Sequence, residues 1–411
     1  MKKDTLLSIY KGLPKSIYVL ALSTVINGIG IFVYPFLTLY LTTKLGFSAA
    51  KAGTFMTIAT MLYIPGSFIG SKLADSIGRK PVMMAGQACM ALCYLLCGFI
   101  EGSSAIPWVI LVALLFDGIT DPAREALKTD ITVPENRQAS FSLVYLSHNL
   151  GYAVGPLLGG ILFTKAPDWL FWGNGIAQLL SLVPVMLLIP ESKPSDVQME
   201  LSKHGNSTEK AEDGGLFHAL MTRPLILIFA VAMTFYTFAY SQVLFGLPLQ
   251  TNALFGTGKG AILYGKINAL NGLVVVIGNP LIVSLTRKKN PLINVAVGGL
   301  FFAIGYCLLS IAKVPLALYS CCMFYTVGEI FWATNEHYYV ANNTPMSHRA
   351  RFNAILPIIE GTGHCFAPMI GGAVIDAFSI SWLWFGSAVS VGIGVSIILL
   401  LFFKERRKQR S

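Results

Sequence analysis

Charge is what this sequence of 411 residues has least of: Asp, Glu, Lys and Arg together make up 12% of it, where an ordinary soluble protein carries about one quarter. With 54% of its residues hydrophobic, water is not its main solvent. No polar stretch is long enough for a soluble domain, the longest running from 191 to 222. The seven cysteines follow no metal-ligand spacing. Cys89, Cys93 and Cys97 recur one helical turn apart, the stripe of a packed helix face. A compact Ser/His, metal or paired-carboxylate motif at a membrane face is also missing, which argues against a membrane-embedded enzyme, and no cofactor is implied. Lys2 and Lys3 precede the first apolar run as in a signal peptide, but the run is too long and lacks a small-residue cleavage site. It is expected to stay as the first span.

What is present is apolar length. Runs of about 20 residues, enough to cross a bilayer core of about 30 Å, recur at 16–41, 48–71, 81–101, 106–127, 139–164, 168–190, 223–247, 260–285, 291–312, 315–340, 351–376 and 381–403. A net charge of +10 could suggest nucleic acid as a partner, but the placement of the positive residues points to membrane topology. With the N-terminus in the cytoplasm, 24 of the 30 Lys and Arg fall on inner segments. Lys44, Lys51, Lys165, Lys259, Lys266 and Lys313 fall toward the outer side. The positive-inside rule therefore places both termini in the cytoplasm, in a multi-pass protein of the cell membrane. The expected fold is all-α and integral to the membrane: 12 transmembrane helices in two bundles, 1–190 and 223–411, joined by a cytoplasmic linker at 191–222.

The halves repeat. Gly151-Tyr-Ala-Val-Gly155-Pro156-Leu-Leu-Gly159-Gly160 in the fifth span recurs 212 residues later as Gly363-His-Cys-Phe-Ala367-Pro368-Met-Ile-Gly371-Gly372 in the eleventh. The same spacing pairs Asp117 with Glu329, Thr132 with Thr344 and Arg137 with Arg349. A second element, Gly70, Leu73, Arg79 and Lys80, returns 208 residues later as Gly278, Leu281, Arg287 and Lys288. Matches in one order along both halves indicate a parallel duplication of six spans, a frequent ground plan of transporters.

The run Gly70-Ser-Lys-Leu73-Ala-Asp75-Ser-Ile-Gly78-Arg79-Lys80-Pro81 resembles the loop 2-3 signature of the major facilitator superfamily. The segment 151–160 resembles the antiporter motif of its twelve-helix drug:proton antiporters. Asp117-Gly-Ile-Thr-Asp121-Pro122-Ala-Arg124-Glu125, followed by Val133-Pro134-Glu135-Asn136-Arg137, is similar to multidrug exporters of that group. Tyr325-Thr-Val-Gly328-Glu329-Ile330 resembles a segment of lactococcal-type exporters whose Glu takes part in proton coupling and in binding cationic drugs. The resemblance implies two pseudo-symmetric bundles rocking about a central site, with inward proton movement driving a compound outward. It also implies that Asp75 faces the start of the eleventh span while Arg79 pairs with an acid leaving the fourth, such as Asp130. Two residues depart from the pattern. Leu114 stands where many members carry a membrane-embedded Arg, and Val283 stands where the repeat of Asp75 would fall.

Acids inside the membrane carry the sharper chemistry, because a charge near the bilayer centre costs at least about 2.5 kcal/mol and is usually functional. A rise of 1.5 Å per residue from Pro107 puts Asp117 about 15 Å deep, near the midplane. Asp121 follows one turn on, within reach of Arg124. Glu329, Asp117, Glu360, Asp121 and His364 are the candidate proton-coupling residues. Asn27, Tyr34, Tyr236, Tyr240, Asn268, Asn271 and Glu336 are the candidates for the substrate cavity, since aromatics with sparse amides suit an amphipathic ligand. Gly70, Asp75, Gly78, Arg79, Lys80, Asp130, Gly155, Pro156 and Pro368 are the candidates for gating: glycine permits tight turns and close helix contacts, and proline bends helices. No metal site is expected. The sequence thus predicts a proton-coupled secondary transporter exporting drugs or other amphipathic small molecules, working as a monomer in a lipid bilayer. A proton-coupled importer of a sugar or peptide is the alternative, ahead of a membrane-embedded enzyme or a non-transporting receptor.

Overall fold

The computed structural model describes residues 10–193, 224–286, 289–343 and 349–408. Most of the expected linker, together with Arg287, Lys288 and Thr344, lies outside them. Among the described residues there are thirteen α-helices and no strand. They are α1 (Lys15–Ile29), α2 (Val33–Thr43), α3 (Ala49–Ile77), α4 (Arg79–Phe99), α5 (Ile106–Asp130), α6 (Pro134–Lys165) and α7 (Asp168–Leu188). From residue 224 on come α8 (Pro224–Phe255), α9 (Thr257–Thr286), α10 (Pro291–Ile311), α11 (Pro315–Asn343), α12 (Arg349–Ala377) and α13 (Ile380–Lys408). A helix is the only open-ended element that satisfies its own backbone in lipid, so apolar length alone selects it.

Among the described residues ten stretches are long and apolar enough to cross a membrane, and one of them, Pro224–Thr286, holds both α8 and α9. Helix α6 is not among the ten. Its 32 residues are ample in length, but Ser147, His148 and Asn149 dilute the hydropathy of its middle. Large apolar side chains face outward where a soluble protein would bury them: Phe99, Trp108, Leu316 and Leu400 are each at least 70% exposed, as a lipid-facing surface requires.

The expected first span, 16–41, is broken. Helix α1 stops at Ile29 and α2 starts at Val33. The break is held from α7, where Asn174 Oδ1 accepts hydrogen bonds from the backbone N–H of Phe32 (3.0 Å) and of Val33 (3.1 Å), two donors that the interruption frees.

The chain divides into two compact units. The first comprises Met1–Gly46, Ile58–Met199 and Thr251–Gly272, and the second Phe47–Thr57, Glu200–Gln250 and Leu273–Ser411, so the division passes through α3, α8 and α9. In the first unit α1, α3, α4, α5 and α7 meet over Leu20, Ala74, Met83, Ala123, Leu127 and Val185. Glycines bring α3 and α5 together: a Cβ built at Gly66 would lie 2.5 Å from the Leu115 carbonyl oxygen, and one at Gly70 2.2 Å from that of Ile119. The second unit has an aromatic core in which Tyr306 stacks on Phe302 (5.6 Å) and on Trp384 (5.9 Å).

The repeat reappears as packing. In the first unit a Cβ at Gly160 would lie 2.6 Å from the Ala261 carbonyl oxygen, and one at Gly265 2.4 Å from that of Pro156. In the second unit a Cβ at Gly372 would lie 2.3 Å from the Ala49 carbonyl oxygen, and one at Gly53 2.0 Å from that of Pro368. All four positions of the first pair of contacts are 212 residues from their counterparts in the second. The Gly-Pro segments therefore serve the same purpose twice, as a close crossing of α6 on α9 and of α12 on α3.

Candidate functional site

The turn between α3 and α4 is built on Gly78, whose φ of +126° lies in the region that favours glycine. Arg79 follows it and is held from three sides. Its Nε meets Asp130 Oδ2 at 3.1 Å, its Nη2 meets Asp75 Oδ1 at 3.2 Å, and its Nη1 donates to the Ala74 carbonyl at 2.9 Å. The Asp75 side chain is 72% exposed. Lys80 reaches the C-terminal end of α7, where Nζ donates to the carbonyls of Met186 (2.8 Å) and Ile189 (2.6 Å), a favourable place for a cation.

Glu191 closes this cluster, and the sequence reading gave it no part. Its carboxylate accepts the backbone N–H of Arg79 (2.9 Å) and Lys80 (3.1 Å) at the start of α4, and those of Ser192 (2.9 Å) and Lys193 (2.8 Å). Burial pushes the carboxyl upward, but the N–H donors of Lys193, Arg79, Ser192 and Lys80 outweigh it and hold the group below the ordinary glutamate range. Ser192 Oγ donates to Asp130 Oδ2 (3.2 Å) and Lys193 Nζ to the Ser76 carbonyl (2.7 Å), so the first residues after α7 are tied onto the α3–α4 turn.

Deeper in the first unit a polar chain crosses five helices. Asp121 on α5 pairs with Arg124 one turn on (Oδ1–Nη1, 2.6 Å) and accepts the Tyr63 hydroxyl from α3 on its other oxygen (2.7 Å). Arg124 Nη2 donates to Gln87 Oε1 on α4 (3.0 Å). Gln87 donates in turn to Ser181 Oγ (2.7 Å) and to the Gln178 carbonyl (2.9 Å) on α7. Asn27, expected on a cavity wall, donates to Gln178 Oε1 (3.2 Å). Asp117 sits one turn before Asp121, within electrostatic reach of Tyr34, Tyr63 and Tyr94. Tyr63, Gln87, Tyr94 and Gln178 carry no sequence signal of their own, because their partners are distant along the chain.

In the second unit Tyr240 on α8 donates its hydroxyl to Glu329 Oε1 on α11 (3.0 Å). Its ring lies 5.7 Å from that of Trp332 and 6.3 Å from that of Phe302, and those two rings are 5.9 Å apart. A carboxylate beside three aromatic rings suits an organic cation. Neither Trp332 nor Phe302 was singled out in the sequence. Tyr236 is fully buried and gives its hydroxyl to the Val295 carbonyl (3.1 Å), a packing position reaching no open surface. Further along, Glu336 on α11 and Glu360 on α12 lie within electrostatic reach of one another, while His364 Nδ1 meets Ser241 Oγ of α8. In the part of α9 that belongs to the first unit, Asn268 turns its amide to the Tyr264 carbonyl of its own helix (3.0 Å), and Asn271 is partly buried one turn on. Gly155, Pro156 and Pro368 are buried in the helix crossings. Among the described residues no group of three or more His, Cys, Asp or Glu converges as metal ligands.

Comparison with known proteins gives this geometry a family. The chain is 26% identical over 384 residues to an uncharacterized MFS-type transporter, YqjV, of Bacillus subtilis (strain 168), covering 91% of this chain and 89% of that protein. It is 23% identical over 245 residues to the multidrug resistance protein MdtH of Yersinia enterocolitica, a match covering 58% of this chain and 57% of MdtH. In fold it is similar to a POT family transporter crystallised in complex with 5-aminolevulinic acid, with a TM-score of 0.77, 14% identity and 96% of each chain covered. The Major Facilitator Superfamily is matched over residues 20–355, and the chain belongs to that family, as a multi-pass membrane transporter.

Proposed function

We propose that this transporter is a proton-coupled exporter of amphipathic small molecules, organic cations among them, working by alternating access as a monomer with both termini in the cytoplasm. The observation that carries the reading is Glu329, a membrane-embedded carboxylate hydrogen-bonded by Tyr240 and flanked by Trp332 and Phe302. Such a group answers to a proton and to a cationic ligand, so that loading one releases the other. Asp117, its repeat counterpart, is the second coupling carboxyl, with Asp121, Glu360 and His364 in support. The partial likeness to MdtH favours export of drugs. The turn at Gly78, with Arg79, Lys80, Asp75 and Asp130, and the crossings at Gly155, Pro156 and Pro368 form the moving parts, and substrate leaves chemically unchanged.

The test is flux of lipophilic cations and neutral compounds in proteoliposomes under an imposed pH gradient, comparing wild type with Glu329→Gln. Gradient-driven export in the wild type should fall at least about tenfold in the variant, the effect of about 1.4 kcal/mol. Intact gradient-driven flux in the variant removes Glu329 from coupling. A gradient that draws substrate in with protons establishes the importer instead.

A further inference from the structure

Helix α13 sorts its residues onto two faces. Val391, Val395, Ile398 and Leu401 are at most 6% exposed and recur at intervals of three or four, the stripe of a packed face. Glu405 continues that stripe one turn beyond Leu401, and its Oε1 accepts the Tyr339 hydroxyl of α11 at 2.5 Å. On the other face Ile393, Leu400 and Phe403 are 44%, 70% and 54% exposed, as a lipid-facing stripe requires. Lys404 follows Leu400 by one turn and Arg407 follows Phe403 by one turn, so both cations stand directly beyond apolar side chains that face lipid.

The length of the helix puts these cations at the lipid headgroups. From Trp382, which is 56% exposed, to Phe403 the rise is about 32 Å at 1.5 Å per residue, close to the bilayer core of about 30 Å, and no charged residue falls between them. Trp382 suits one interface, so Lys404 and Arg407 emerge at the other. Lys404, Arg406 and Arg407 are exposed, and none of them has a hydrogen-bond or ion-pair partner among the described residues. Elsewhere Arg79, Arg124 and Lys128 are paired with Asp130, Asp121 and Glu125. Lys408 and Arg410 extend the run in sequence. A positive count alone would serve topology; it does not require that the one acid among these cations be drawn onto the packed face.

We propose that this end of α13 is a binding site for an anionic phospholipid, with Lys404 and Arg407 on its phosphate, Arg406 beside them, and Leu400 and Phe403 against its acyl chains. Arg offers a phosphate a fork of N–H donors and Lys a compact charge, and cations clustered just beyond a transmembrane helix attract anionic lipid. A zwitterionic lipid has the same chains without the net charge, so the surface selects by headgroup. With the C-terminus in the cytoplasm the lipid belongs to the inner leaflet. The site depends on neither proton coupling nor the transported compound.

Native mass spectrometry of the purified full-length protein, titrated with phosphatidylglycerol or with phosphatidylcholine, resolves lipids bound one at a time. The wild type should bind its first phosphatidylglycerol at least about tenfold more tightly than phosphatidylcholine. The variant Lys404→Gln/Arg406→Gln/Arg407→Gln should lose that preference, whereas Lys404→Arg/Arg407→Lys, which keeps the charges, should retain it. Lys15→Gln/Lys72→Gln/Lys313→Gln removes as many exposed cations elsewhere and should leave the preference unchanged. Inorganic phosphate at millimolar concentration should not displace the lipid, because it brings no acyl chain to Leu400 and Phe403. Arg407→Glu, a single change at an exposed position, should abolish the preference too, and it decides the matter if the triple variant does not purify. A wild type that binds both lipids alike overturns the proposal. So does a preference that survives at the end of α13 without its cations, one lost equally in the distant triple variant, or displacement by inorganic phosphate.

Discussion

Replacing Arg124 with Gln tests whether the charge chain of the first unit is held together by its one guanidinium. Arg124 lies on Asp121 at 2.6 Å, with side-chain exposures of 26% and 38% for the two partners. A lone carboxylate deep in a membrane helix costs about 2.5–3.5 kcal/mol. Two features lower that figure here: Tyr63 still donates to Asp121, and partial exposure screens the pair. The expected loss in Arg124→Gln is therefore about 1–2 kcal/mol. Asp121→Asn alone leaves an unpaired cation and should cost about as much. The double variant, with a neutral amide on each side, should recover most of the loss, giving a coupling of about 1 kcal/mol or more. Unfolding titrations of the four proteins in mixed micelles measure the cycle. A double variant that costs the sum of the two singles refutes the reasoning, and would mean that each side chain acts through packing of its own. Because Leu114 supplies no charge to α5, the same variant should also abolish gradient-driven flux if Arg124 serves as that helix's functional cation.

Glu191→Gln removes the carboxylate that receives four N–H donors, and should lower the unfolding temperature near neutral pH by an amount corresponding to about 1 kcal/mol, the usual worth of a helix cap. The Glu191 carboxyl lies lower in the folded state than its ordinary value of 4.5, so its stabilisation is fully present above that value and is lost as pH falls through the folded one. Thermal scans should therefore show the gap between wild type and variant closing on acidification, and a gap constant with pH refutes this account. Gly53→Val and Gly265→Val place a side chain 2.0 and 2.4 Å from backbone oxygens and should each destabilise the protein by more than about 2 kcal/mol, whereas Gly392→Ala, with nothing within 4 Å, should sit within about 0.5 kcal/mol of wild type.

The sequence by itself determined the helices and much of their order, because the bilayer demands apolar length and self-satisfied backbone, and both are written locally. It also located the turn at Gly78, since a glycine, two cations and an adjacent acid all fall within a few residues. The repeat was legible for the same reason: Gly151–Gly160 and Gly363–Gly372 keep their small residues in step wherever helices must cross closely. Tertiary structure alone decided which distant groups meet. Asn174 breaks the first span from α7, Glu191 returns from beyond α7 to cap α4, Tyr63 reaches Asp121 across 58 residues, and Trp332 and Phe302 gather around Tyr240. A hydrogen bond depends on distances of a few ångströms that no spacing in sequence specifies.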